Sequence, residues 1–175
     1  EAVFIVKSSC YVHDNRNRLT KEFLEADKQF SFDFVFWIDS DIVFECEQAE
    51  QLLKFLMEND KDMATGVYYS FVQGGKAGPV IARRLEDDSL ENYIASELNE
   101  PMKVDGAGFG FVVMNARVLR EMVEKKGEHV FGFKISKKGK LIGEDNLFFE
   151  EAKELGFELW VVPQIRVGHA KTVVV

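Results

Sequence analysis

Five apolar residues in a row, Phe34-Val35-Phe36-Trp37-Ile38, run straight into Asp39-Ser40-Asp41. A strand with one wet face alternates apolar and polar residues, whereas an unbroken apolar run needs cover on both faces. The run therefore demands a sheet with helices above and below it, and the rest of the chain offers both kinds of element. A short strand is expected at residues 2–6. A helix is expected at 16–26, where Leu19, Phe23 and Ala26 fall near helical spacing. Ala49, Leu52, Leu53, Leu56 and Met57 form an amphipathic stripe that predicts a helix over 47–58. Further strands are expected at 63–69, 80–82 and 109–114, with a turn marked by Gly74, Gly75, Gly78 and Pro79. Asn115 is placed to cap a helix that Gly127 stops. A last helix over 144–155 ends at Gly156, and a strand over 157–162 ends at Pro163. Residues 84–100 fit either a helix or a surface excursion, and the basic stretch 134–140 reads as an exposed loop. Strands alternating with helices predict an α/β fold in a single domain over 1–175, with a mostly parallel sheet flanked by helices and a small antiparallel part.

Composition narrows what such a domain can do. With 46 % hydrophobic and 30 % charged residues, a disordered or collagen-like chain is excluded. The 16 phenylalanines predict an aromatic-rich interior. The formal charge of −8 gives no general attraction for nucleic acid. An anionic ligand would need a metal ion or a few placed Arg and Lys residues. Cys10 and Cys46 have neither metal-ligand spacing nor a disulfide framework, which fits a reducing, cytoplasmic setting. No apolar run approaches the ~20 residues that span a bilayer. The chain does not begin with Met and has no signal-like start. It is expected to be a fragment of a longer protein or to lack an N-terminal piece.

Chemistry is expected first at Asp39 and Asp41. Two carboxylates at the end of a buried strand sit where open α/β sheets bind ligands, and hard oxygens suit Mg²⁺ or Mn²⁺. A polar turn is the bland alternative, which the five buried residues before it disfavour. Arg16 and Asn17 at a helix start could meet phosphate, or simply cap and solvate. Asp105-Gly106-Ala107-Gly108-Phe109-Gly110 permits close backbone approach to a ligand, or forms a tight turn. It precedes a strand, so it is no dinucleotide fingerprint. Acidic residues in the first turn of the last helix are ordinary dipole partners, and Asp145 among them could serve as a general base. His13 and His129 read as structural or surface residues.

Taken in order, four segments resemble the GT-A glycosyltransferases, especially family 2-like members: Arg16-Asn17 with Leu19 and Phe23-Leu24; Phe36 to Asp41; Gly106 to Gly110; and Gly143-Glu144-Asp145 running through Gly156 and Pro163 to His169. The resemblance implies a GT-A-like (Rossmann-like) fold. It also implies metal-dependent transfer of a sugar from a nucleotide-diphosphate donor, a UDP- or GDP-sugar, to a hydroxyl of a glycan, protein or small molecule, with inversion by single displacement. By that resemblance Asp39, Asp41 and His169 would hold Mn²⁺ or Mg²⁺. Arg16 and Asn17 would lie near the diphosphate, Asp105 and Gly106 near the donor sugar, and Asp145 would be the base. The base-binding strand–turn–helix that normally opens the family is not found before Ala2. The Gln-x-x-Arg-Trp signature of processive polymerases is also missing, so a polysaccharide synthase is not expected.

One rival uses the same residues. Asp39-Ser40-Asp41-Ile42-Val43 also fits the nucleophile motif of haloacid-dehalogenase-like phosphatases, with Asp39 phosphorylated and Asp41 as acid–base. That motif set expects Gly-Asp where Gly143-Glu144 stands. A third reading is a non-catalytic sugar-nucleotide-binding module.

Overall fold

The computed structural model describes residues 2–8, 11–71, 77–136 and 138–170. In chain order the elements are α1 (Val12–Phe30), β1 (Phe34–Ile38), β2 (Ile42–Val43), α2 (Cys46–Glu58), β3 (Met63–Val67), β4 (Tyr69–Phe71), β5 (Ala77–Pro79), β6 (Ile81–Arg84) and β7 (Leu90–Asn92). After a 3-10 turn (Ala95–Glu97) come β8 (Met102–Val104), β9 (Gly106–Ala107), β10 (Phe111–Asn115), α3 (Ala116–Lys126), β11 (Lys134–Ile135), β12 (Leu141–Ile142), α4 (Glu144–Glu154), β13 (Leu159–Arg166) and β14 (Gly168–His169). No helix among the described residues is long and apolar enough to cross a membrane.

The fold is α/β, and its main sheet runs in the order β1-β10-β3-β13-β8. The expectation of a mostly parallel sheet needs correction. The pairs β1–β10, β10–β3 and β13–β8 are antiparallel, and β13–β3 is parallel. The physical reason lies in β10, which is inserted between β1 and β3 and runs against both. Its residues are buried on both faces, so its apolar run has the look of a parallel strand. Val112 and Met114 join the core under α1, α3 and α4, with Phe23, Leu119 and Phe148. Phe111 and Val113 join the core under α2, with Leu52 and Leu56. Two-sided burial was legible, while strand direction was not, because cover depends on helices and direction depends on connections.

Other expectations shift at their edges. Residues 2–8 form no strand, and Phe4 and Val6 are exposed. A strand is stable only on a partner's ladder, and no described strand pairs with this stretch. Helix α1 is longer than expected at both ends, and Arg120 fastens its C-terminal turn through two bonds of 2.7 Å to Asp27. Gly78 and Pro79 belong to β5, paired with β4, and are not a turn; Gly74, Gly75 and Cys10 lie outside the described residues. The uncertain stretch 84–100 forms the β6–β7 hairpin and the 3-10 turn. Lys134 and Ile135 pair with Leu141 and Ile142 instead of forming an open loop. Pro163 does not end the last strand: the ladder slips between Val161 and Arg166, and an irregularity is where a sheet tolerates proline. The aromatic interior is present, with Phe109, Phe111, Phe131, Phe148 and Phe149 almost wholly buried.

Candidate functional site

Strands β1, β3 and β13 point the same way, and the segments after them meet at one edge of the sheet. Strand alternation sets the first residue. Val35 and Trp37 pack on the α1/α3/α4 side, and Phe34 and Phe36 on the α2 side. Asp39 continues that alternation, with its backbone N–H given to the Gly110 carbonyl at 3.0 Å, and its carboxylate faces α1.

There it meets Arg16. The guanidinium bonds Asp145 through Nη1, with Glu144 at 3.3 Å on the same nitrogen, and Nη2 lies 3.2 Å from Asp39. The flat faces of Phe109 and Phe131 lie 5.0 and 5.8 Å from its central carbon. Only 4 % of Arg16 is exposed, so it is not a free phosphate ligand. Burial opposes its charge, but Asp145, Asp39 and Glu144 outweigh burial and raise its pKa. One cation thus gathers three carboxylates from β1 and α4.

Asp145 is held at both oxygens, Oδ1 by Arg16 and Oδ2 by the Phe109 N–H at 3.2 Å. Burial pushes its pKa up. Arg16 pulls it down, Glu144 pushes up again, the Phe109 N–H pulls down and Asp39 adds a last push, for a result of about 6. A carboxyl poised there can exchange a proton near neutrality.

The second acidic residue turns the other way. The β14–β2 pairing sets His169 opposite Ile42, and Ala170 N–H donates to the Asp41 carbonyl at 2.7 Å. His169 Nε2 lies 3.1 Å from Asp41 Oδ2, and Nδ1 lies 3.0 Å from the Tyr69 carbonyl. A carbonyl only accepts, so the Tyr69 contact puts a proton on Nδ1. Nε2 of the neutral ring then carries a lone pair, the form that binds metals. That leaves two acceptors face to face, a contact that is favourable only with a proton or a cation between them. The donor set therefore fits a divalent ion held by Asp41 and His169. Among the described residues no three His, Cys, Asp or Glu side chains already form a metal cluster, since Asp39 is turned to Arg16.

Tyr68, which the sequence reading passed over, stands between the halves. Its ring packs edge-on to His169 at 5.1 Å, and its oxygen accepts the Gly110 N–H at 3.2 Å. Burial keeps the phenol protonated, its pKa raised far above the usual range. The glycine pattern was the available signal. A Cβ on Gly108 would lie 2.0 Å from the Tyr68 oxygen, and one on Gly106 would lie 2.2 Å from Asn146 Oδ1. Glu144 was also missed as an Arg16 partner, being read only as a dipole partner.

Three expected residues have structural partners. Asn17 is a clamp: Nδ2 donates to the Phe131 carbonyl at 2.8 Å and Oδ1 accepts the Phe131 N–H at 2.9 Å. Asp105 accepts from the Arg84 N–H at 2.8 Å and from Lys153 at 2.6 Å. Gly106 packs against the first turn of α4, at Asn146.

No protein-family model matches the chain, and no curated protein matches it in sequence. Among solved structures, the crystal structure of A197 from STIV is similar, with a TM-score of 0.61 over 97 % of this chain and 72 % of that one, at 20 % identity. The likeness is one of fold. What the site can do follows from its own groups: a carboxylate that titrates near neutrality, a paired carboxylate and imidazole suited to a cation, and a buried guanidinium that fixes the acidic side chains around them.

Proposed function

We propose that the chain is the catalytic core of a GT-A-like, metal-dependent glycosyltransferase that moves a sugar from a nucleotide-diphosphate donor to a hydroxyl acceptor. The observation that carries the reading is Asp145, a carboxyl with a pKa raised to about 6 and both oxygens oriented, at the edge where Asp41 and His169 face each other. In this role Asp145 takes the proton of the attacking hydroxyl as the new bond forms. Asp41 and His169, with Asp39 as the third candidate ligand, would hold Mn²⁺ or Mg²⁺. When bound, such an ion neutralises charge on a diphosphate leaving group. Arg16 acts through others: it keeps Asp145, Glu144 and Asp39 in place. The mixed sheet, with β10 running against its neighbours, is read as a GT-A variant of the α/β plan. The phosphatase alternative gains nothing from Asp39, whose carboxylate lies against a guanidinium that damps its nucleophilicity.

The test uses UDP-, GDP- and dTDP-sugars. A true donor raises the melting temperature by mass action, and only when Mn²⁺ or Mg²⁺ is present. Asp145→Asn should keep that shift and lose transfer by about 10²- to 10⁴-fold. The base must be ionised to act, so wild-type kcat/KM should fall as pH drops through about 6, and this acid limb should be absent from the variant's residual rate. Equal donor binding in EDTA would remove the metal, and transfer surviving within a few-fold would remove Asp145.

A further inference from the structure

An apolar strip runs along the lip of this site. Tyr11 precedes α1, and His13 in its first turn lies between Tyr11 at 6.0 Å and Phe133, against which its ring packs edge-on at 4.9 Å. Ile135 pairs with Leu141 across β11–β12, so these two share one face of the ribbon, while Ile142 turns inward and is buried; Phe133 stands just before β11. Tyr11 is 64 % exposed, Phe133 48 %, Ile135 65 % and Leu141 66 %. An exposed apolar strip of this kind marks a binding surface.

Its position is fixed relative to Asp145. Helical side chains lean toward the N-terminus, so the Arg16 guanidinium rises toward the level of His13, about 4.5 Å earlier on the helix axis. Asp145 is bonded to that guanidinium. The Asn17 clamp ties Phe131 to α1, which holds the neighbouring Phe133 against His13. From the other side, β12 leads through Gly143 directly into Glu144 and Asp145.

We propose that this strip is the acceptor subsite and that the acceptor is a saccharide, with the C–H face of a pyranose on Phe133 and Tyr11 and a rim hydroxyl toward Asp145. The identity of the bound group as acceptor rests on the transferase reading. A pyranose suits the strip because its ring face is apolar and its hydroxyls lie at the rim. Its polarised C–H groups match the negative face of an aromatic ring. Ile135 and Leu141 continue the same surface away from the base, for a further part of the acceptor.

Saturation-transfer NMR tests the subsite without turnover. The probes are methyl α-D-mannopyranoside, methyl β-D-glucopyranoside and methyl β-D-galactopyranoside, added to the wild type, Phe133→Ala and Tyr11→Ala, each checked for fold by circular dichroism. At least one glycoside should receive saturation on the C–H protons of one ring face, and each substitution should weaken its binding by up to about tenfold while leaving donor affinity unchanged. No transfer to any glycoside, or transfer that both variants leave intact, overturns the proposal. So does capture of anionic phospholipid vesicles that Ile135→Ser abolishes, with no glycoside contact, since the strip then belongs to a membrane surface. Glycosides that bind while no donor sugar is ever moved would sink the transferase reading and spare the sugar subsite. Transfer to peptide or water without glycoside contact would do the reverse.

Discussion

Two acidic clusters lie a few residues apart in this molecule and are balanced in different ways. Around Arg16, three carboxylates share one guanidinium sealed between two phenylalanine rings, with a backbone N–H taking part of the remaining charge. At His169 a single carboxylate faces one ring nitrogen at 3.1 Å, while the other ring nitrogen donates to the Tyr69 carbonyl. The first cluster holds a buried counter-charge, Arg16, with the Asp39 carboxylate 43 % exposed at its edge. In the second, an imidazole nitrogen and a carboxylate oxygen face each other, a contact that a proton or a cation between them makes favourable. The two acidic residues of one Asp-x-Asp motif therefore face different partners, Asp39 the Arg16 guanidinium and Asp41 the His169 ring.

The hardest test of that division is Arg16→Ala. Removing one member of a buried ion cluster leaves uncompensated charge and typically costs about 3–5 kcal/mol. For a domain of this size the melting temperature should fall by about 10 °C. Arg16→Lys should recover little, since one ammonium cannot match a planar fork that serves three carboxylates. His169→Ala should melt within about 2 °C of the wild type. If the two variants melt alike, the clusters do not differ in kind.

His169→Ala carries the complementary expectation. Mn²⁺ alone, titrated calorimetrically, should bind at least about 10- to 100-fold more weakly, since losing even a group that supports a metal ligand costs that much. Arg16→Lys, where it folds, should keep Mn²⁺ affinity near that of the wild type. Unchanged Mn²⁺ affinity in His169→Ala would remove the imidazole from the ion site.

Sequence made some of this visible. The run Phe34 to Ile38 announced β1 and the stripe from Ala49 to Met57 announced α2, but β1 is the edge of the sheet, with Trp37 buried, Phe34, Val35 and Phe36 half-buried and Ile38 41 % exposed. Each depends on neighbours within a few residues. Arg16 looks like a solvated helix start, because its burial depends on carboxylates 23, 128 and 129 positions away. Asn17 reads as a phosphate ligand or a cap for the same reason, its partner Phe131 being 114 residues distant. The glycines at 106, 108 and 110 fall in between. Their alternation says that something presses on one face of the strand, but it cannot name Tyr68 or Asn146 as the groups that do so.

Tyr68 offers the smallest effect and the sharpest cut, because different atoms of one side chain touch the two clusters. Its oxygen accepts the Gly110 N–H, and the Gly110 carbonyl accepts the N–H of Asp39. Its ring packs on His169. Tyr68→Phe removes the oxygen alone and leaves a buried N–H unpaired, which should cost about 1–2 kcal/mol of stability. The imidazole keeps its ring neighbour, so Mn²⁺ affinity should stay within about threefold, or ~0.7 kcal/mol. Tyr68→Ala removes the ring as well and should weaken Mn²⁺ binding toward the level of His169→Ala. The order of the three variants in one set of titrations decides the matter. If the phenylalanine variant binds Mn²⁺ as poorly as His169→Ala, the hydroxyl belongs to the ion side, and the boundary between the two clusters cannot pass through this residue.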